Sequence, residues 1–528
     1  MRVARFFIIA VSMILIRLVS CTQQPLTQEA LLTTLDSLEY KMEWLDYRIS
    51  LAMWELYTTG ESDSLRYYQN LYGEVVSGPE IYQQLSSGGA LLTDELNQRR
   101  RDILFGAVLV GKVETDRDIS ELRDSLEVVN INYRPEFEGA ERTSGYLYSV
   151  FRTDPGRTRR ELAYRAWCSV GDELAEGLEQ LLRMRDQRAR RLGYNSYIAL
   201  SFGANGIDMT NYRALLRQLD SLSAQPYLEI IKRIATDLNV DRPEIWDLSY
   251  SYGDITTQVD RFFPADSQMN YIQRSLEGVG FDLDKMPIYY DLVDRQGKSQ
   301  FAFAFPIKPP HDVRVLASLY DGMYSTRMLF HEIGHAVHYT QIAQDNPLFI
   351  NNIQGAWSEA MAQTISALMD DKFWLAEYAH MPEQLIDSYL KSKRAQDIIY
   401  LRTTLVRLYF ELEAYTNPNR DINKLYWDLF EKYMMLPRHD DMKPWAAIFH
   451  YTTHPVYLQN YLYADIVAAQ TIDFLKTNYG SFVDNPMTSA FLIQNYYRFG
   501  GRYDWRELLK RGTDEEFNPA YFIKRIGL

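Results

Sequence analysis

Cysteine is nearly absent from this chain, which has only Cys21 and Cys168 among its 528 residues. A disulfide framework needs several cysteines, so no structural disulfide is expected even in an oxidising compartment. Basic residues are also fewer than acidic ones. The chain has 56 Lys and Arg and 70 Asp and Glu, which gives a net charge of −14. Without a long basic run, the chain lacks the positive surface that binding to nucleic-acid phosphates requires. We therefore exclude a disulfide scaffold and a nucleic-acid-binding protein.

Internal repeats, low-complexity tracts and long linkers are missing as well. After the first twenty residues, no segment is apolar enough to span a membrane. Hydrophobic residues make up 46% of the chain and charged residues 24%, a composition typical of globular proteins. Residues 21–528 are therefore expected to form a single domain that buries a large core.

The N-terminus has the pattern of an export signal. Two arginines precede the apolar stretch Phe6–Ile16, which is too short to span a bilayer. The next residues, Leu18-Val19-Ser20-Cys21, resemble the lipobox of bacterial lipoproteins. That resemblance implies that residues 1–20 are removed and that a lipid on Cys21 anchors the protein to an envelope membrane. The alternative is an ordinary signal peptide followed by an incidental cysteine.

One motif among the few histidines carries the prediction of function. The chain has eight histidines, and His331-Glu332-Ile333-Gly334-His335 contains two of them in the pattern H-E-x-x-H. The surrounding residues have helical periodicity, and residues four apart lie on one face of a helix. His331 and His335 can therefore bind one zinc ion, with Glu332 beside it as a general base. The alternative is a surface helix that carries these residues by chance.

A catalytic zinc site needs a third protein ligand and an open position for water. Glu359 lies 24 positions after His335, in the helical segment Ser358–Gln363. A turn followed by an antiparallel helix would bring it opposite the histidines. Gln363 is one turn further and is predicted to orient a ligand, while Asp370 is a weaker candidate for the ligand itself. The site is predicted to hold one Zn²⁺ per chain.

Such a site has a defined chemistry. Zinc lowers the pKa of its bound water to about 7, and Glu332 can accept the proton and deliver it to the leaving amine. A further donor is then expected to stabilise the oxyanion. Imidazoles and phenols suited to that role, including His450 and His454, are concentrated in the segment His450–Tyr463. The alternative is a tyrosine-rich helix entry that only packs.

Most of the chain has the apolar periodicity of helices, which predicts an all-α fold. One long helix is predicted from Leu31 to Leu56, ended by Gly60, and another from Leu174 to Leu192, ended by Gly193. Further helices are predicted at Tyr212–Ser223, Met328–Ile342, Glu359–Tyr378, Glu383–Tyr415 and Asp465–Asn478.

A small β-ribbon is predicted about twenty residues before the zinc motif. Residues 299–306 alternate with period two, and Val313–Val315 follows a turn at Pro309-Pro310. The edge of such a ribbon can pair with an extended peptide, which makes Phe303 and Arg314 candidate substrate-binding residues. A ribbon that only packs is the alternative.

The zinc motif, Glu359 at this spacing and the His/Tyr segment together resemble the gluzincin peptidases. The most similar groups are the relatives of angiotensin-converting enzyme and of thimet oligopeptidase, and residues 182–197 resemble a further stretch of those families. The resemblance implies a two-lobed, ovoid helical fold with a deep central channel that admits short peptides and excludes folded proteins. It implies His331, His335 and Glu359 as zinc ligands, Glu332 as the catalytic glutamate, Gln363 as the glutamine after the third ligand, His450 as the transition-state histidine and Tyr461 as the catalytic tyrosine, with Tyr457 as its rival.

Two departures from those families bear on specificity. The converting-enzyme pattern has a lysine two residues before the histidine that corresponds to His450, where it binds the substrate's C-terminal carboxylate. Here that position is Ile448. The glycine-rich loop of the thimet group is also missing, because residues 452–455 contain no glycine. Other candidates for the missing charge are Lys308, Arg314 and Lys443.

The sequence therefore predicts a zinc metallopeptidase that removes dipeptides from the C-termini of short peptides. An oligoendopeptidase that ignores the substrate's termini is one alternative, and a peptide-binding lipoprotein that has lost catalysis is another. The expected partners are short peptides, with no nucleic acid and with membrane contact only through the lipid anchor. The chain is expected to be a monomer, exported to a bacterial envelope.

Overall fold

The computed structural model describes residues 26–299 and 301–528. The predicted export signal and the lipidated Cys21 lie outside the described residues. The helices before the zinc motif are α1 (Gln28–Thr59), α2 (Leu65–Ser77), α3 (Pro79–Ser87), α4 (Glu95–Glu114), α5 (Arg117–Asn132), α6 (Ser144–Thr153), α7 (Arg157–Cys168), α8 (Val170–Arg191), α9 (Tyr197–Ala204), α10 (Met209–Asp237), α11 (Ile245–Tyr250), α12 (Gly253–Asp260) and α13 (Gln268–Gly278).

The strands are short and few in the described part of the chain. β1 (Glu136–Phe137) and β2 (Ala140–Glu141) form an antiparallel pair, and β3 (Ile288–Asp291), β4 (Phe303–Lys308) and β5 (Asp312–Leu316) form a second sheet. The remaining helices are α14 (Met323–Thr340), α15 (Pro347–Asn351), α16 (Gly355–Ser366), α17 (Lys372–Glu377), α18 (Glu383–Thr416), α19 (Ile422–Met434), α20 (Phe449–Thr453), α21 (Gln459–Tyr479), α22 (Met487–Asn495), α23 (Trp505–Thr513) and α24 (Ala520–Ile526). The predicted all-α fold is confirmed.

Helix α1 shows how local sequence sets these boundaries. The Thr27 hydroxyl caps its N-terminus by accepting from the Ala30 N–H at 3.2 Å. Its C-terminus ends at Gly60, which has a φ of +85° and donates its N–H to the Leu56 carbonyl at 2.8 Å. That left-handed conformation favours glycine, so the predicted end of the helix is confirmed.

The second sheet contains the predicted ribbon and one strand more. β4 and β5 are antiparallel, with Ala304 opposite Val315, while β3 pairs with β5 in parallel and was not predicted. The order β3-β5-β4 leaves β4 at the edge of the sheet. One face of β4, including Phe305, packs on α1, and the sheet also packs on α14.

The prediction of one helix over residues 359–378 is wrong. α16 begins at Gly355, four residues earlier, and ends at Ser366. A short 3₁₀ turn follows, and α17 starts anew at Lys372. The break has a local cause, because the Asp371 carboxylate caps α17 by accepting from the Phe373 N–H at 3.0 Å.

Helix α16 packs against both α14 and α21, at the centre of the site described below. The approach of α14 and α16 depends on Gly334, since a Cβ at this position would lie only 2.9 Å from the Ala362 Cα. One continuous hydrophobic core extends from Leu109 to Ile526, and a separate cluster joins α1 to α4.

A cleft of about 1030 Å³ opens between α4, the end of α9, and the segments that precede α16 and α23. Its lining includes Gly355, the first residue of α16. In the described part of the chain, no helix is both long enough and apolar enough to cross a bilayer.

Candidate active site

The two motif histidines lie on one face of α14, as the four-residue spacing predicted. Their ring centroids are 4.7 Å apart, and the two Nε2 atoms are separated by 3.2 Å. His335 is buried and His331 is half-buried. Both rings therefore direct a nitrogen atom to the same point in space.

Glu359 on α16 completes the group. Its Oε2 lies 3.2 Å from the His331 Nε2 and 3.6 Å from the His335 Nε2. Zinc bound to nitrogen and oxygen at about 2.0–2.2 Å in a tetrahedron places its ligand atoms about 3.3–3.6 Å apart, and the three separations of 3.2, 3.2 and 3.6 Å lie within about 0.1 Å of that range. The Glu359 Oε2 is buried and has no hydrogen-bond partner within the described residues. The two-nitrogen, one-oxygen donor set thus fits a zinc ion.

The outer atoms of these ligands are held by hydroxyl groups. The Ser358 Oγ lies 3.1 Å from the His335 Nδ1 and 3.0 Å from the Tyr339 hydroxyl. The Tyr457 hydroxyl donates to the Glu359 Oε1 at 2.7 Å. Burial disfavours the charge on Glu359, but its contacts with His331 and His335 outweigh burial and hold its pKa below the usual range. The ligands are therefore oriented before any metal binds.

Glu332, the predicted general base, is buried beside the ligand group. Burial raises the pKa of Glu332 to about 7, and the negative charge of Glu359 adds to the effect. His331 and the backbone N–H of Ala304 in β4, which faces this carboxyl group, act in the opposite direction and lower that pKa. Since the N–H and C=O of one strand residue point the same way, the Ala304 carbonyl lies on this outer edge too. The edge of the sheet and the general base thus face the same space.

The predicted His/Tyr segment lies on the other side of Glu359. The His450 ring stacks on Tyr457, with centroids 6.2 Å apart, and meets the Tyr461 ring edge-on at 5.8 Å. His454 lies 6.3 Å from His450, and its Nδ1 is 2.8 Å from the Thr453 Oγ1. Burial lowers the pKa of His450 to about 4, so its imidazole is neutral near pH 7.

Tyr461 keeps a free hydroxyl near the general base. Within the described residues this hydroxyl has no hydrogen-bond partner. Burial and the charges of Glu359 and Glu332 raise the pKa of Tyr461 above its ordinary value. The phenol therefore stays protonated and can donate a hydrogen bond.

Three predicted site residues make their contacts with residues outside the metal-ligand group. The Gln363 Oε1 accepts a hydrogen bond from the Ser366 Oγ at 3.4 Å. The Phe303 ring packs on Tyr57 of α1, with centroids 4.7 Å apart. Arg314 is bound by both carboxylate oxygens of Asp312, at 2.9 and 2.7 Å, and its guanidinium lies over Trp54.

Two weaker candidates are engaged elsewhere. The Asp370 carboxylate binds Arg327 at 2.5 Å, and the Lys443 Nζ lies 3.3 Å from Asp172. Asp370 thus pairs with a cation on α14 and is not part of the ligand group.

Sequence reasoning missed Ser358, Tyr339 and the Ala304 amide. A signal existed for the first two, because Ser358 precedes Glu359 and Tyr339 follows His335 by one helical turn. No signal existed for Ala304, whose contribution is a backbone group at a sheet edge.

Comparison with known proteins agrees with this geometry. The pattern of peptidase family M3 matches residues 150–528. The solved structure of PZ peptidase A with inhibitor 2 has a similar fold, with a TM-score of 0.70 and 15% sequence identity over 94% of this chain and 96% of that chain. No curated protein sequence gave a significant match.

The family match spans most of the chain and includes all three candidate ligands and Glu332. The predicted resemblance to gluzincin peptidases is thereby confirmed, and M3 peptidases are zinc-dependent. From the ligand group, the buried glutamate and the matched pattern, we conclude that this chain belongs to peptidase family M3 and is a metallopeptidase.

Proposed function

We propose that this protein hydrolyses short peptides and releases dipeptides from their C-termini. The observation that carries the proposal is the position of Glu332. This buried carboxyl group lies beside three oriented metal ligands and next to the edge of β4. A peptide-binding protein without catalysis has no use for a general base at this position. Zinc bound here supplies a Lewis acid for the scissile carbonyl and lowers the pKa of a water molecule.

Three side chains of the protein supply the remaining catalytic and binding groups. The Glu332 carboxylate takes a proton from the attacking water, and the resulting carboxylic acid gives it to the leaving amine nitrogen. The Tyr461 hydroxyl donates a hydrogen bond to the carbonyl oxygen as negative charge develops on it. The neutral His450 imidazole is placed to bind the peptide backbone. Each role uses an atom whose protonation state follows from its surroundings.

Peptide recognition is supported by the outer edge of β4. The Ala304 N–H serves Glu332, and its carbonyl on the same edge can accept a hydrogen bond from a substrate N–H. A peptide that extends the sheet in this way lies with its backbone alongside the general base. Such recognition reads the main chain, so it tolerates many side chains.

Export and anchoring form a separate part of the proposal. The lipobox-like residues 18–21 support a lipid on Cys21, which would hold a monomeric enzyme at the envelope membrane. Expression of the wild type and of Cys21→Ala in bacteria tests this, since only the wild type should sediment with membranes and incorporate labelled fatty acid.

The peptidase is tested with matched eight-residue peptides that carry either a free C-terminal carboxylate or an amide. The purified, zinc-loaded protein is incubated with both, and the products are followed by mass spectrometry. Stepwise loss of two residues from the free-acid peptides alone is expected. Internal cuts in both sets would instead show an oligoendopeptidase, and no cuts with zinc bound would show a binding protein.

A further inference from the structure

One face of α18 runs alongside the His/Tyr segment. Glu411 on this face accepts the Val456 N–H at 2.6 Å, and the Arg407 carbonyl accepts the Tyr451 hydroxyl at 2.9 Å. Tyr400, two turns before Arg407, lies on the same face of the helix and is 53% exposed. Arg407 is half-buried, lies on this face between Tyr400 and Glu411, and has its backbone carbonyl against the residue that follows His450.

Arg407 differs from the other half-buried or buried arginines of the described chain. Its guanidinium has no ion pair, hydrogen bond or aromatic ring partner among residues 26–299 and 301–528. Arg402, one and a half turns earlier, pairs with Asp220 at 2.6 Å, and Arg99 donates to the Gly501 carbonyl at 2.9 Å. A half-buried guanidinium without a protein partner keeps its N–H donors free for a ligand.

The groups around Arg407 leave its charge available. Its field acts on His450, whose pKa is lowered by burial first, then by His454 and by Arg407. It also acts on four tyrosines, whose pKa values burial raises and whose phenols are therefore neutral: Tyr164, Tyr400, Tyr426 and Tyr451. Glu411, one turn later, accepts a hydrogen bond from the Val456 N–H. An anion that enters beside His450 would meet an uncompensated guanidinium.

We propose that Arg407 binds the C-terminal carboxylate of the peptide substrate. The His450 ring next to it stacks on Tyr457, and Tyr457 binds the ligand Glu359, so this wall is continuous with the metal site. A guanidinium presents two parallel N–H donors, the geometry that a carboxylate accepts. The assignment rests on the proposed peptidase function, and it names the charge that replaces the expected lysine.

Binding to a catalytically silent protein separates this proposal from the question of turnover. In a Glu332→Gln background, the dissociation constants of an N-terminally labelled eight-residue peptide and of its C-terminal amide are measured by fluorescence anisotropy. The free acid is expected to bind about tenfold to a hundredfold more tightly, the value of a charge-assisted hydrogen bond. Adding Arg407→Gln should reduce its affinity to that of the amide, and Arg407→Lys should keep part of the preference.

The matched control is Arg394→Gln, which removes an exposed charge from the same helix and should leave the preference unchanged. Zinc content and thermal unfolding verify that each variant is folded. If Arg407→Gln does not fold, competition by a free dipeptide and by its amide measures the same preference with Arg407 in place.

Two results would overturn the assignment. One is equal affinity for acid and amide in the presence of Arg407, or a preference that survives Arg407→Gln. The other is a loss confined to peptides with an acidic side chain, whether amidated or not, which would assign Arg407 to a side-chain carboxylate. A protein that binds the acid through Arg407 but cuts nothing would refute the peptidase function alone.

Discussion

Two tyrosines stand next to the metal ligands, and their contacts separate their roles. Tyr457 donates to the Glu359 Oε1 at 2.7 Å, whereas the Tyr461 hydroxyl has no hydrogen-bond partner within the described residues. Sequence alone left these residues as rivals for one catalytic role. The structure gives Tyr457 the contact expected of a residue that orients a ligand.

Substituting each tyrosine by phenylalanine is expected to give opposite kinetic results. Tyr457→Phe should weaken zinc binding by about tenfold to a hundredfold and leave most of kcat at saturating zinc. Tyr461→Phe should keep zinc affinity and lower kcat by about a hundredfold to a thousandfold. Zinc titration with a chelator and steady-state kinetics measure both. Equal zinc affinity in the two variants would contradict the division of roles.

The residues of α14 show which parts of the site a sequence can reveal. Spacing along α14 was sufficient to predict that His331 and His335 share a face, and the same spacing places Tyr339 next to His335. The proposed role of Arg407 could not be predicted, because it depends on the absence of a protein partner for its guanidinium. That property depends on every neighbouring element.

At the scale of elements, the turn between α20 and α21 is held in a strained conformation. Val456 has a φ of +57°, a region that β-branched residues rarely adopt, at a cost of about 1–3 kcal/mol. The Glu411 carboxyl group on α18 accepts a hydrogen bond from the Val456 N–H and so stabilises the turn. Tyr457 is the next residue, and its aim at Glu359 depends on this turn.

Substitutions of Glu411 are expected to test that dependence. Glu411→Gln keeps an oxygen that can accept the Val456 N–H, so kcat and zinc affinity should remain within a few fold of wild type. Glu411→Leu leaves the N–H buried without a partner, which costs about 1–3 kcal/mol, and should weaken zinc binding through Tyr457. Zinc titration of both variants is the measurement. If the Leu variant is folded and binds zinc like wild type, the turn does not position Tyr457.

Helices with strong apolar periodicity were predictable, and their interruptions were not. The end of α1 at Gly60 follows from the residue itself, while the break after Ser366 depends on an aspartate that caps the next helix. The parallel strand β3 lies far from β5 in sequence, and short parallel pairs leave little local signal. The missed strand depends on a contact that is distant in the chain, and the missed break depends on a local cap that apolar periodicity does not show.

At the scale of the whole molecule, a carboxyl group with a raised pKa couples stability to pH. Burial raises the pKa of Asp46, a partly exposed residue of α1, to about 7 from an ordinary value of 3.8. The folded state therefore favours the protonated form. Its stabilising effect is complete below about pH 4 and is lost as the pH rises through about 7.

Asp46→Asn is expected to remove this pH dependence, because the amide stays neutral. At pH 8 the variant should be more stable than wild type by about 1–2 kcal/mol, a value reduced for partial exposure, and at pH 4 the two should be equal. Urea unfolding at both pH values measures the difference. A stability gain that is the same at pH 4 and pH 8 would show that Asp46 is not the titrating group.

The large-scale features differ in how far sequence predicted them. The all-α class followed from periodicity and is confirmed, and the helical fold matches that of PZ peptidase A. The single domain from residue 21 and the lipid anchor stay predictions. Chain length and a leader pattern support them, while the match to the family begins at residue 150.

The central claim is that a bound zinc ion and Glu332 together cleave peptide bonds, and the Glu332→Gln variant tests it most directly. Zinc content, thermal unfolding and kcat on a free-acid peptide are measured beside the wild type. We predict one zinc per chain, an unchanged fold and a kcat lower by about a hundredfold to ten-thousandfold. A variant that binds zinc and hydrolyses the peptide at the wild-type rate would contradict the account.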